Sequence, residues 1–108
     1  SQEPLLMIPG PTEFHQDILN AMATKGTSHV DPKFIQCFSD VIKQTREIFL
    51  SKDGQPFILA GSGTLGWDLT AANFIVPGDL ALVVNTGYFG DRFGECLETY
   101  GARVKQIT

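Results

Sequence analysis

The hydrophobic pattern of this chain alternates between helical and strand-like spacing. Its longest amphipathic stretch begins after Asp31, where apolar side chains recur at spacings of three and four residues as far as Phe49. An acidic residue followed by Pro32 is typical of a helix start, because the carboxylate caps free amides and proline fits the first helical position. The pattern predicts a helix that starts at Pro32 and is ended by the Lys-Asp-Gly turn at residues 52–54.

Three apolar segments have the character of strands. Residues 56–60 (PFILA) and 80–84 (LALVV) are short continuous apolar runs, as expected of strands covered on both faces, and residues 102–107 alternate between apolar and polar. Helical spacing separates these segments over residues 65–75 and again over residues 89–100. The order strand–helix–strand–helix–strand predicts an α/β domain with a parallel sheet.

Proline and glycine mark the ends of these elements. Pro9, Gly10 and Pro11 interrupt an apolar run near the start of the chain, and Thr12 is placed to cap a short helix over residues 13–24. Gly101 follows the last helical stripe and predicts its C-terminal stop.

Composition narrows the class of protein. With 43% hydrophobic and 19% charged residues the chain is typical of a globular domain, and its 108 residues suffice for one modest core. No run of about 18 apolar residues or N-terminal signal peptide is visible, so we expect no membrane association. The net charge of −4 argues against general nucleic-acid binding. Cys37 and Cys96 fit free thiols of a reducing compartment better than a disulfide scaffold.

The most informative motif is the glycine-rich turn at residues 60–66 (AGSGTLG), between a predicted strand and a predicted helix. Free amides at a helix N-terminus favour an anion, glycine allows a phosphate to approach the backbone, and Ser62 and Thr64 add hydroxyl donors. A tight strand-to-helix turn capped by Ser62 explains the same residues without any ligand. The sequence leaves both interpretations open.

Two other interpretations of this turn are weaker. Gly61, Gly63 and Gly66 match a dinucleotide-binding fingerprint, but the acidic residue that should follow the next strand is missing at residues 84–86. A hydrolase nucleophile elbow requires glycine two positions on either side of Ser62, where alanine and threonine stand.

Several segments together resemble the class V branch of the fold-type I aminotransferases, which use pyridoxal phosphate (PLP), and within it the alanine–glyoxylate and serine–pyruvate aminotransferases. No single motif is decisive, but their order and spacing extend over essentially the whole chain. The segments are residues 6–12 (LMIPGPT), 28–34 (SHVDPKF), 59–64 (LAGSGT), 77–79 (PGD), 86–92 (TGYFGDR) and 100–102 (YGA).

The resemblance implies a set of ligand-binding residues. In the family the turn that matches Ser62, Gly63 and Thr64 holds the cofactor phosphate, and an aromatic residue after the second strand covers the pyridine ring. Phe89 occupies that aromatic position, where tryptophan is common, so the stacking surface is kept without an indole N–H. The segment around Gly10 lies near the active site in relatives, where glycine gives a substrate carboxylate access to the backbone. Trp67 fits packing better than a second cofactor contact.

The resemblance also implies how the chain belongs to a larger enzyme. Residues 1–12 would form an N-terminal arm that wraps a second subunit of a homodimer, and residues 13–108 the N-terminal portion of the PLP-binding large domain. The catalytic lysine that forms a Schiff base with PLP would lie further along, since none of the five lysines present has the pattern of a buried amine. An intracellular location, cytoplasmic or peroxisomal, is implied without a choice between the two.

The expected reaction transfers an amino group from a small amino acid to a 2-oxo acid, specifically from L-alanine to glyoxylate. Serine–pyruvate transfer or another class V reaction is the nearest alternative. A small dinucleotide-binding domain and a non-catalytic interaction module remain as different classes. In the family the strand that matches residues 57–60 lies at the opposite end of the sheet from the next two, so we expect no ladder between it and residues 80–84.

Overall fold

A computed structural model describes residues 3–108 and divides the chain into two compact units, one that ends at Phe57 and one over Ile58–Thr108. The first unit contains two helices and the second a helix followed by a strand–helix–strand segment. The elements are α1 (Gln16–Met22), α2 (Pro32–Ile48), α3 (Gly63–Phe74), β1 (Leu80–Val84), α4 (Tyr88–Thr99) and β2 (Arg103–Ile107). The predicted α/β class with a parallel sheet is confirmed.

Helix α1 starts later than predicted. Its N-cap is His15, whose Nδ1 accepts from the backbone N–H of Asp17 (3.3 Å), so the predicted cap by Thr12 is wrong. Glu13, which was predicted to lie in this helix, precedes it, and its carboxylate accepts from the backbone N–H of Leu6 (3.0 Å). Of the predicted arm, residues 1 and 2 lie outside the described residues, and residues 3–12 form neither helix nor strand.

Helix α2 begins as predicted. Asp31 Oδ1 accepts from the backbone N–H groups of Lys33 (2.8 Å) and Phe34 (3.3 Å). The helix ends before the predicted turn, because Leu50 adopts a left-handed backbone (φ 53°) and the N–H of Ser51 donates back to the carbonyl of Arg46 (3.0 Å). This pattern is a Schellman-type end in which leucine stands where glycine is usual.

The second unit is built around a parallel pair of strands joined by α4. The register runs from Leu80 opposite Arg103 to Val84 opposite Ile107. Its small core comprises four buried side chains from α3, β1, α4 and the residue before β2: Ala71, Val83, Leu97 and Ala102. Helix α4 packs against both strands, and α3 packs against α4.

The predicted strand at residues 56–60 is not formed. The sheet of the described chain has only the two strands β1 and β2, and residues 58–60 make no ladder with β1, as we expected from the family topology. A strand needs a neighbouring strand to satisfy its backbone N–H and C=O groups. Residues 56–60 have no such neighbour among the described residues and are therefore not a strand. Helix α3 in turn begins at Gly63, two residues before the predicted start.

Gly101 ends α4 as predicted. Its φ of 97° is a left-handed conformation, and the following N–H of Ala102 donates to the carbonyl of Leu97 (3.0 Å). A Cβ atom at this position would also lie 3.0 Å from the Cα of Pro77. Both the turn and the close approach therefore require glycine. Among residues 3–108, no helix is long and apolar enough to cross a membrane, and no metal-binding cluster of His, Cys, Asp or Glu occurs.

Candidate functional site

The N-terminus of α3 presents free hydrogen-bond donors. Ser62 is the N-cap: its Oγ accepts from the backbone N–H of Leu65 (3.4 Å) and shares a hydrogen bond with Thr64 Oγ1 (2.7 Å). The N–H groups of Gly63 and Thr64 are the first of a 12-residue helix and have no intrahelical acceptor. Together with the positive end of the helix dipole, these groups suit a phosphate.

The glycines of this turn serve different purposes. A Cβ atom at Gly61 would lie against the end of the Leu65 side chain, which would have to shift to make room for it. A Cβ atom at Gly63 would meet no atom within 4 Å, and its backbone is not left-handed. Packing within the described chain therefore does not dictate glycine at position 63, where the open backbone is available to a ligand.

A groove of about 480 Å³ separates α3 from α4. Thr64 lines one wall and Phe89 the other, so the structure brings together one predicted phosphate-binding residue and the predicted stacking residue. Ser62 and Gly63 directly precede Thr64 in the chain. The remaining lining residues are Trp67, Asp68, Tyr88, Arg92, Glu95, Cys96, Thr99 and Tyr100.

Aromatic side chains form the apolar part of this groove. The centroid of the Trp67 ring lies 5.9 Å from that of Phe89, with the ring planes inclined at 61°. It lies 5.8 Å from the centroid of Phe93, with the planes inclined at 31°. Phe93 packs against the core, whereas Phe89 is 52% exposed and lies outside it. Tyr88 meets Phe89 edge to face at 5.4 Å. Phe89 therefore offers a ring surface that the fold of this unit does not use.

The polar part of the groove centres on Asp68, which the sequence analysis did not single out. Its Oδ1 accepts from the hydroxyl of Tyr100 (3.1 Å) and lies 3.7 Å from Cys96 Sγ. This hydrogen bond raises the pKa of Tyr100, while burial, followed by the Asp68 charge, raises the pKa of Cys96. The partners are 32 and 28 residues away, so no local pattern signals the cluster.

Arg92 is held at the rim by its own helix. Its Nε donates to the Tyr88 hydroxyl (3.2 Å), and its Nη1 donates to Glu95 Oε2 (2.6 Å). The guanidinium carbon lies 5.4 Å from the centroid of the Tyr88 ring. The bond to Tyr88, followed by that to Glu95, raises the pKa of Arg92, so this side chain is a permanent cation whose charge is already paired.

Gly10 belongs to the first unit, where it is exposed and where a Cβ atom would meet no atom within 4 Å. All the lysines are exposed, as their sequence pattern predicts. They are Lys25, Lys33, Lys43, Lys52 and Lys105.

Comparison with known proteins gives a consistent result. Alanine–glyoxylate aminotransferase 1 of Saccharomyces cerevisiae is 47% identical over an alignment that covers 94% of this chain. The crystal structure of an alanine–glyoxylate aminotransferase from Nostoc has a TM-score of 0.79 and 31% identity over 99% of the chain. That of an aspartate aminotransferase from Thermus thermophilus has a TM-score of 0.80 and 32% identity over 96% of the chain. No family model matches this chain.

The chain spans only part of each of these relatives. It covers 28% of the yeast protein and 30% of each of the two crystallised chains.

Proposed function

The chain belongs to the class V aminotransferases, and from this premise we propose that the whole protein is a PLP-dependent alanine–glyoxylate aminotransferase. It would move the amino group of L-alanine to glyoxylate, with pyruvate and glycine as products. The identity of 47% to the yeast enzyme of that name is the observation that carries this choice of substrates.

The second unit fits the phosphate and ring of PLP. The free amides of Gly63 and Thr64, with the hydroxyls of Ser62 and Thr64, offer donors to a phosphate at the positive end of α3. The open space beside Gly63 leaves room for its oxygens. Phe89, on the opposite wall of the same groove, has an exposed ring for the pyridine.

When bound, PLP supplies an electron-accepting ring that makes the α-proton of an amino acid acidic. The residues of this chain would bind and orient the cofactor: the α3 amides anchor the phosphate, and Phe89 limits movement of the ring. Gly10 would let the substrate carboxylate approach the backbone, because the space that a Cβ atom would occupy is open.

A transamination assay on the intact protein tests the substrates. With PLP, L-alanine and glyoxylate, we expect pyruvate to accumulate, and serine or aspartate in place of alanine to react more slowly. The aspartate comparison matters because the Thermus thermophilus relative carries that name. Faster turnover with serine or aspartate contradicts the choice of alanine while leaving the class of enzyme intact. If the intact protein shows no PLP absorbance band after incubation with PLP and removal of the excess, it is not a PLP-dependent enzyme.

Substitutions in the α3 turn test the phosphate site. Thr64→Ala removes a hydroxyl donor to a charged oxygen, a bond worth about 1.5–3 kcal/mol, so PLP affinity should fall about tenfold or more. Gly63→Val should cost more, since its side chain would fill the open space beside the backbone, where a Cβ atom meets no atom within 4 Å. Equilibrium titration of the apoprotein with PLP measures both effects.

Gly66→Ala is the matched control for Gly63→Val. A Cβ atom at Gly66 also meets nothing within 4 Å, but this residue lies one turn further along α3. We expect wild-type PLP affinity for Gly66→Ala. Wild-type affinity in Thr64→Ala and Gly63→Val as well would remove the phosphate from this turn.

A further inference from the structure

Asn85, the residue after β1, joins several parts of the second unit. Its backbone N–H donates to the carbonyl of Ile107 (2.7 Å) and extends the pairing of β1 with β2. Its Oδ1 accepts from the N–H of Gly87 (3.0 Å). Its Nδ2 donates to Asp91 Oδ1 (2.5 Å) on α4 and to Gln106 Oε1 (2.6 Å) on β2. The amide group therefore uses its oxygen and both of its N–H donors.

Helix α4 packs tightly on this side chain. A Cβ atom at Gly90 would lie 2.7 Å from Asn85 Cγ and 3.0 Å from Asn85 Cα. One turn further along α4, a Cβ atom at Gly94 would lie 2.8 Å from Gln106 Nε2. These two glycines lie four residues apart on one helix face. They let α4 rest directly on the Asn85–Gln106 pair, which fixes the height of its first turns above the sheet.

Phe89 lies within the segment that Asn85 holds, between Gly87 and Asp91. We propose that Asn85 is a positioning residue for the Phe89 ring: it anchors the first turn of α4 at the carboxyl end of β1 and so sets where the ring faces the groove. Asn85 acts through the backbone and does not contact the ligand. This inference rests on the proposed function, because the ring's stacking role belongs to that proposal.

Only an amide meets the requirements of this position. An acceptor must face the Gly87 N–H, while donors must face the oxygens of Asp91 and Gln106. Asn85→Asp keeps the acceptor but places a second carboxylate beside that of Asp91, where like charges repel. The double variant N85D/D91N exchanges donor and acceptor between the two positions. The Gln106 amide then needs only a half-turn to donate to the new carboxylate.

PLP affinity of the intact apoprotein, measured by equilibrium titration, tests the proposal together with its melting temperature. N85D should weaken binding by about twofold to tenfold, the range expected when an aromatic stack is misplaced. N85D/D91N should recover most of that loss. In the Phe89→Ala background, N85D should change PLP affinity by less than about twofold, because the ring that it positions is absent.

Asp79→Ala is the matched control. It removes a side-chain bond to the backbone N–H of Val76 (2.8 Å) in the turn before β1, at the opposite end of the strand from Asn85. We expect it to lower the melting temperature without changing PLP affinity. A structural role of Asn85 alone would make N85D behave in the same way.

The possible results separate this inference from the proposed function. Unchanged affinity in N85D, or the same loss with and without the Phe89 ring, overturns the positioning role. Should N85D fail to fold, Asn85→Ser takes its place in the cycle, since it keeps an acceptor near Gly87 and loses the other two bonds. Weaker PLP binding in Thr64→Ala and Phe89→Ala with a silent Asn85 contradicts only the positioning role. A wild-type protein that does not bind PLP overturns both.

Discussion

The Asp68 carboxylate contributes to a raised pKa at two neighbouring side chains. The Tyr100 hydroxyl donates to Asp68 Oδ1, and this bond is the largest cause of the raised pKa of Tyr100. Burial is the largest cause for Cys96, with Asp68 second. Since the thiolate is the reactive form of cysteine, Cys96 is suited to packing rather than to nucleophilic chemistry.

Substitution of Tyr100 should reveal this bond through its pH dependence. Because folding raises its pKa, Tyr100 stabilises the protein fully below its unfolded-state pKa of about 10, and the contribution is lost as pH rises through the folded-state pKa. Tyr100→Phe should therefore melt at a lower temperature than the wild type at pH 8. The difference should shrink above about pH 10. Melting curves of the intact wild type and variant from about pH 7 to 11 measure this difference. A difference in melting temperature that does not change with pH would contradict the role of the bond.

Phe89 and Phe93 provide a matched pair for the stacking proposal. Both rings contact Trp67 from α4, but Phe93 packs on the core and Phe89 is half exposed. Phe89→Ala should weaken PLP binding by about twofold to tenfold with a small change in melting temperature, and Phe89→Trp should retain activity. Phe93→Ala should lower the melting temperature by more and PLP affinity by less. The reverse pattern would make Phe89 a packing residue.

Elements were predictable from the sequence where one residue carries the structural signal. Asp31 before proline specified the start of α2, and Gly101 specified the end of α4, because each satisfies backbone groups locally. The predicted strand at residues 56–60 was wrong, since a strand depends on a partner that local pattern does not provide. Ser62, Gly63 and Thr64 could be proposed from motif and resemblance. The partners of Asp68 and Asn85 could not, because they are distant in sequence.

The Asp31 cap is the clearest test at the level of an element. Asp31→Ala leaves the amides of Lys33 and Phe34 without their acceptor, so the free energy of unfolding of the intact protein should fall by about 1 kcal/mol. Asp31→Ser, which retains a capping oxygen, should lose much less. Chemical denaturation of both variants measures the difference. Equal losses would show that the carboxylate contributes through something other than capping.

At the scale of the whole molecule, the described chain buries little of its apolar surface. Four hydrophobic side chains form the buried core, while large apolar residues remain exposed in both units. On the apolar stripe of α2, Phe34 is 41% exposed and Phe38 is 40% exposed. Water-exposed apolar surface of this extent is typical of faces that other parts of a protein cover. The chain spans 28% of its yeast relative, which is consistent with that explanation.

The arm at residues 1–12 is the part for which we propose a second subunit as the covering surface. Leu5 is 67% and Met7 81% exposed, so replacing both with aspartate should cost little within one subunit. If they pack in a homodimer, the double variant of the intact protein should raise the dimer dissociation constant at least about tenfold, since burial of each side chain is worth about 1.5–3 kcal/mol.

The double variant Thr27→Asp with Gln44→Asp adds the same charge at exposed polar positions and should leave the dimer unchanged. Sedimentation velocity over a concentration series measures both. A monomeric wild type, or equal dissociation constants in wild type and arm variant, would rule out the arm as the dimer contact.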